Sequence, residues 1–119
     1  MHVGMSVIFQ NPGERIPDQQ VYKQDLALAL QAEDLGFDSV WSVEHHFTSY
    51  TMCPDVLQFL TYMAGATQSI QLGSMVCVLP WHDPLRVTEQ ISMLDNLSDG
   101  RLILGLGRGT GKVEFDGFR

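Results

Sequence analysis

Apolar runs of two different periods alternate along this chain, and that alternation limits its fold more than any other feature. Val3 to Phe9, with Met5, Val7 and Ile8, is short and almost continuously apolar, as a buried strand is. A helical period follows. Asp18 is placed to cap a helix that runs to about Leu35. Val21, Leu28, Ala32 and Leu35 fall on one face, widened by Leu26, Ala29 and Leu30, and Gly36 stands where a left-handed C-terminal cap is expected. Ser39 to Val43 reads as the second strand. Asp55 opens a second helix whose apolar content is Val56, Leu57, Phe59, Leu60, Met63 and Ala64. Ile70 to Leu79 reads as a third strand, broken at Gly73-Ser74. Asp83-Pro84 begins a third helix, because Asp caps and Pro suits the first helical position. Its face is Val87, Ile91, Leu94 and Leu97, and Ser98-Asp99-Gly100 ends it. Leu102 to Leu106 is a fourth strand, followed by a glycine-rich run to Gly111.

The order β-α-β-α-β-α-β with short connections implies a parallel sheet with crossover helices. An open doubly wound sheet and a (β/α) barrel both satisfy it. A doubly wound nucleotide binder carries its glycine-rich turn after the first strand, whereas here the glycines follow the fourth. The chemically capable side chains cluster after the C-terminal ends of successive strands, where a barrel builds its site. The expected fold is therefore α/β, resembling the first half of a (β/α)8 barrel. A complete barrel needs eight strands and about 250 residues. The 119 residues are expected to form one partial barrel domain, 1–119, cut short at its C-terminus.

Net charge is −7 and the sequence pI about 4.7, which argues against nucleic acid or an anionic membrane as partner. No apolar run is long enough to span a bilayer, and no basic stretch with a cleavage site opens the chain. Cys53 and Cys77 form no C-x-x-C pair and read as reduced thiols. A cytoplasmic location is expected.

The second strand delivers Glu44, His45 and His46 in succession. Imidazole titrates near neutrality, which suits it to moving protons. Glu44 is placed to orient an imidazole or to pair with a basic group. Adjacent histidines are poor ligands for one ion, since neighbouring strand side chains point to opposite faces, so no metal site is expected. Arg108 stands among glycines after the fourth strand. Its guanidinium can grip a phosphate that the glycines let approach. Trp81 and His82 can border a substrate pocket, and Trp81 can equally cover the barrel mouth.

The chain resembles the N-terminal half of the bacterial luciferase-like flavin-dependent monooxygenase family. The resemblance lies in Leu35-Gly36-Phe37-Asp38-Ser39-Val40-Trp41, Glu44-His45-His46-Phe47, Gly73 through Val78-Leu79-Pro80 and His82-x-Pro84-x-Arg86. It continues in Leu94-Asp95-x-Leu97-Ser98-x-Gly100-Arg101 and Gly105-x-Gly107-Arg108-Gly109. Each piece is weak alone. Together they cover nearly the whole chain in order. The resemblance implies a (β/α)8 barrel that oxygenates an organic substrate with O2 and reduced FMN, supplied by a separate flavin reductase. It implies a catalytic role for His45 in stabilising or protonating reaction intermediates. Met75 and Val76 would line the flavin ring, with a non-proline cis peptide between them as in some relatives. Gly107 and Arg108 would hold the flavin phosphate, and Glu44, His46 and Trp81 would stand at the substrate pocket. Some light-emitting relatives carry a reactive cysteine where this chain has Gly107, so bioluminescence gains no support.

Related barrels use a deazaflavin for hydride transfer, and that is the alternative cofactor, although Glu44-His45-His46 leans toward FMN. A different class of reading is a half-barrel with no catalysis of its own. Such a chain would work only as a homodimer or with a separate C-terminal half.

Overall fold

The computed structural model describes residues 1–118; residue 119, the last of the expected domain, lies outside the described set. Six strands and four helices follow one another: β1 (Gly4–Val7), α1 (Asp18–Gln31), β2 (Ser39–Ser42), α2 (Val56–Ala66), β3 (Gln71–Ser74), β4 (Cys77–Val78), α3 (Pro84–Leu97), β5 (Leu102–Ile103), β6 (Leu106–Gly107) and α4 (Lys112–Phe118). A 3-10 turn, Leu79–Trp81, joins β4 to α3.

β1, β2, β3 and β5 form one parallel sheet in chain order. A doubly wound sheet reverses its strand order at a switch point, and none occurs here. Sequential parallel strands joined by helices are the barrel pattern, as expected. β4 and β6 form a second, two-stranded parallel ladder that continues β3 and β5. No helix among the described residues is long and apolar enough to cross a membrane.

The register fixes the two faces of the sheet. Met5, Val40, Leu72 and Leu102 are aligned, and their side chains meet the helices. That face holds the core: Val7, Val40 and Leu72 with Val21 and Ala29 from α1, Leu60 and Met63 from α2, and Val87 and Leu94 from α3. Ser6, Trp41, Gly73 and Ile103 are aligned on the opposite face. There the Trp41 indole lies flat over its neighbours. A Cβ at Gly73 would stand 2.2 Å from Trp41 Cε3, and one at Gly4 would stand 2.6 Å from its Nε1. Only glycine fits beneath the ring.

Several expected boundaries move, each for a visible reason. β1 stops at Val7; Phe9 turns to φ 50° and its N–H goes to Asp25 Oδ2 at 2.9 Å instead of to a strand. Asp18 lies inside α1, not at its cap, which is Pro17, and it accepts from Asn11 Nδ2 at 3.0 Å. α1 ends at Gln31, and the buried stripe is Val21, Ala29 and Ala32, while Leu28 and Leu35 are exposed. Leu26 and Leu30, expected to widen the face, do pack against the core and are partly buried. The expected third strand is two strands. The break falls at the Met75–Val76 peptide, which is cis, rather than at Gly73-Ser74. The fourth is divided likewise into β5 and β6. A Cβ at Gly105 between them would stand 2.3 Å from the Ser74 carbonyl oxygen.

The other helix starts agree with the sequence. Asp55 Oδ1 accepts the Gln58 N–H at 2.9 Å, and Asp83 Oδ1 accepts those of Leu85 and Arg86 at 3.0 Å. Arg101 ties the far end together. Its guanidinium donates to the carbonyls of Ala64, Ile70 and Ser98 and to Thr67 Oγ1.

Candidate active site

The loops after β2, β4 and β6 converge at the C-terminal edge of the sheet. The β2 loop is held open by backbone bonds: His45 N–H to the Cys53 carbonyl and Met52 N–H to the Phe9 carbonyl, at 2.9 and 3.0 Å. Asn11 N–H bonds the Ser49 carbonyl at 2.9 Å, and the Tyr22 hydroxyl donates to the Met52 carbonyl. A loop tied at both ends presents His45 and His46 from a fixed frame.

Glu44 is the centre of the buried part. Its side chain is fully buried. Oε2 accepts the Val78 N–H at 2.8 Å, and Oε1 lies 3.1 Å from His46 Nε2 and 2.8 Å from His82 Nε2. Burying a carboxylate is costly unless its oxygens are bonded, and here the Val78 N–H of β4 and the rings of His46 and His82 meet it. Glu44 was expected at a substrate pocket and to orient an imidazole. The structure gives it two imidazoles, and Glu44 also lies in the wall of the smaller of two cavities that His45 lines.

His45 and His46 diverge. His46 turns inward to Glu44, and its ring meets Phe118 edge-on at 4.7 Å. His45 turns to α4, where its Nδ1 lies 2.9 Å from Glu114 Oε1. The same oxygen accepts the His46 backbone N–H at 3.1 Å. Sequence reasoning missed Glu114 because it missed α4. The signals were an i,i+4 pair, Lys112 and Asp116, which does form, and apolar Val113 and Phe115 after Gly111. It also missed that His82 shares Glu44.

Trp81 packs under α4. Its ring stacks on Phe118 at 5.0 Å and meets Phe115 edge-on at 4.7 Å, and its buried Nε1 has no partner among the described residues. Trp81 thus sits in an aromatic cluster with α4.

His45 stands between two open cavities. The larger, about 480 Å3, includes Glu14, Asp18, Tyr22 and Phe47 in its wall. The smaller, about 220 Å3, is lined by Met75, Val76, Gly107, Arg108 and Glu114 as well as His45. Four residues expected at the cofactor are therefore brought to one cavity with His45. The side chain of Val76 packs against the bare backbone of Gly107, where a Cβ would come within 2.3 Å of its Cγ2. Arg108 is exposed, and its guanidinium has no hydrogen bond or ion pair among the described residues. A free guanidinium beside bare backbone suits a phosphate, and the Met75–Val76 segment offers a wall for a flat ring.

Glu44, Cys77 and His82 each place a potential metal-ligand atom within 4.8 Å of the others. This grouping does not involve the adjacent His45 and His46; its one histidine comes from the loop before α3. Both carboxylate oxygens already serve as hydrogen-bond acceptors there. Burial pushes the Cys77 thiol up to about 12, helped by the Glu44 charge, and burial pushes Cys53 up to about 11. Both sulfurs stay protonated at neutral pH, as inert core thiols do.

A family model described as luciferase-like monooxygenase matches residues 1–119. The alkanal monooxygenase alpha chain of Photorhabdus laumondii is 35% identical over 96 residues, which is 81% of this chain and 27% of that protein. Among solved structures, monooxygenase RslO1 from Streptomyces bottropensis superposes with a TM-score of 0.90 at 34% identity, covering 99% of this chain and 36% of that one. A coenzyme F420-dependent tetrahydromethanopterin reductase from Methanopyrus kandleri superposes with a TM-score of 0.69 at 27% identity, covering 98% and 29%. The chain thus spans roughly a third of the length of the relatives it matches.

Proposed function

This chain belongs to the luciferase-like monooxygenase family, and from that premise we propose that it carries the flavin-phosphate and proton-handling part of an FMN-dependent monooxygenase site. The observation that supports this reading is the shared cavity, where His45, the Met75–Val76 segment, Gly107 and the unpartnered Arg108 meet. Reduced FMN, when bound, supplies the electrons that activate O2 for transfer to an organic substrate. The chain's own residues do the rest. Arg108 holds the phosphate by a charged fork, and the bare Gly107 backbone lets it approach. Met75 and Val76 brace the ring. His45 gives or takes a proton at its free ring nitrogen. Glu44 fixes the His46 and His82 rings, and Trp81 with the α4 aromatics keeps water from the site.

A flavin is favoured over a deazaflavin. A deazaflavin carries hydride and does not activate O2, and the TM-score is higher against the monooxygenase than against the deazaflavin-dependent reductase. A flavin reductase, a small organic substrate and O2 complete the proposed set of partners. The remaining walls would come from segments beyond this third of the relatives' length, in the same or another chain. The placement in the cytoplasm belongs to the same proposal.

Titration of the purified chain with FMN and with riboflavin, read by flavin fluorescence, tests the reading. Arg108→Ala should weaken FMN by about 1.5–3 kcal/mol, roughly 10- to 150-fold, and leave riboflavin nearly unchanged. Equal FMN affinity in both proteins would remove the phosphate role. Saturable binding of a deazaflavin but not of FMN would shift the reading to hydride transfer.

A further inference from the structure

A carboxylate that only accepts tells where the proton on its partner is. Glu114 Oε1 lies 2.9 Å from His45 Nδ1 and also receives the His46 backbone N–H. The Glu114 side chain is 3% exposed and that of His45 is 45% exposed. The oxygen that already accepts the His46 N–H acts as acceptor toward His45 as well, so Nδ1 carries the hydrogen of this bond. The hydrogen bond made by one ring nitrogen sets the state of the other. Neutral His45 then has its lone pair at Nε2, which has no partner among the described residues.

We infer that Glu114 is a positioning residue, one that holds His45 in its Nδ1–H tautomer and so leaves Nε2 as the nitrogen that exchanges protons at the cavity. The inference deepens the proposed function and rests on its placing His45 at the cofactor. Glu114 acts through His45 and needs no contact with substrate or cofactor. The two residues lie 69 positions apart and come from different βα units. His45 is therefore set only when α4 is docked, and the packing of Phe115 and Phe118 on Trp81 docks it.

The other charged or titratable groups around His45 leave this assignment to Glu114. Glu44 is occupied by Val78, His46 and His82. Glu14 and Asp18 lie in the wall of the larger cavity, and Arg108 in that of the smaller. None of these forms a hydrogen bond to the His45 ring among the described residues, and Glu114 does.

The test is imidazole 15N NMR of the flavin-free chain, at a pH where the histidines are neutral, in the wild type, E114A and E114Q. In the wild type, His45 should show a protonated Nδ1 and an unprotonated Nε2. In E114A its population should move toward the Nε2–H form. E114Q should retain the wild-type tautomer, because its amide oxygen still accepts from Nδ1. The His46 and His82 signals, tied to Glu44, report whether each variant keeps the fold. A wild-type His45 protonated at Nε2 overturns the inference whatever the variants do. So does a folded E114A with an unchanged tautomer. In turnover, E114A should lower kcat by up to about 100-fold with KM little changed, and E114Q should restore part of it. The NMR result needs no flavin. A correct tautomer with no loss of turnover in His45→Ala would sink the proposed function and leave the Glu114–His45 pairing standing.

Discussion

At Gly107 a single missing methyl group decides how two strands meet. Val76 presses its side chain into the space a Cβ would fill, 2.3 Å from Cγ2. Valine has little rotamer freedom with which to yield. Gly107→Ala should therefore force β4 and β6 apart and cost about 1–3 kcal/mol, measured by urea denaturation. It should also narrow the cavity floor and weaken FMN. An unchanged midpoint would show that Val76 can rotate away. At this scale the sequence was partly legible. Glu44, His45, His46 and Arg108 stood out because titratable groups after a strand or among glycines carry a recognisable chemistry. The pairings did not stand out. Which carboxylate meets which imidazole depends on three loops meeting in space, and neither the 38 positions from Glu44 to His82 nor the 69 from His45 to Glu114 leave a trace in local pattern.

Between elements, one carboxylate fastens the turn after α1 to the turn before β3. Glu33 accepts the N–H groups of Gln68, Ser69 and Ile70 and the Ser69 hydroxyl. The Ser69 hydroxyl bond, then the backbone bonds, hold its pKa near 2, below an ordinary value of 4.5. The depressed value sets the sign. The tie stabilises the fold fully above the unfolded pKa near 4.5 and is lost as pH falls toward 2. Stability of the wild type should therefore fall between about pH 4.5 and pH 2 more steeply than that of Glu33→Gln, in denaturation curves taken across that range. Parallel curves would mean that the Glu33 bonds contribute nothing. Helix starts at Asp55 and Asp83 were readable because a cap is a local device. α1 was misread where leucines suggested a buried stripe. The helix instead turns Ala29 and Ala32 to the sheet and leaves Leu28 and Leu35 exposed. Leu26 and Leu30 of the expected face do pack against the core, so the period was legible, while the helix's rotation is set by tertiary packing that the period does not encode.

For the whole molecule, sequential strand order was implied by the alternation of periods and is what the sheet displays. The division of the third and fourth strands was not, since a cis peptide and a close backbone contact have no periodic signature. Among the described residues, β1 and β5 each pair on one side only. Leu104, just after β5, is 37% exposed. Unpaired apolar edges invite pairing with another chain. Sedimentation velocity should show association that rises with concentration, and Leu104→Lys should shift it toward monomer. A wild type that stays monomeric throughout would show that the edges are protected. The same strand order has a consequence in time. Each strand pairs with the one made just before it, and each helix closes over a unit already present. Each pairing spans one whole crossover, as from Gly4 to Ser39 or from Leu72 to Leu102, and closing such a loop before the strands can pair makes a parallel sheet slow to form. On a ribosome, which delivers the chain from its N-terminus, every newly emerged unit would find its template waiting.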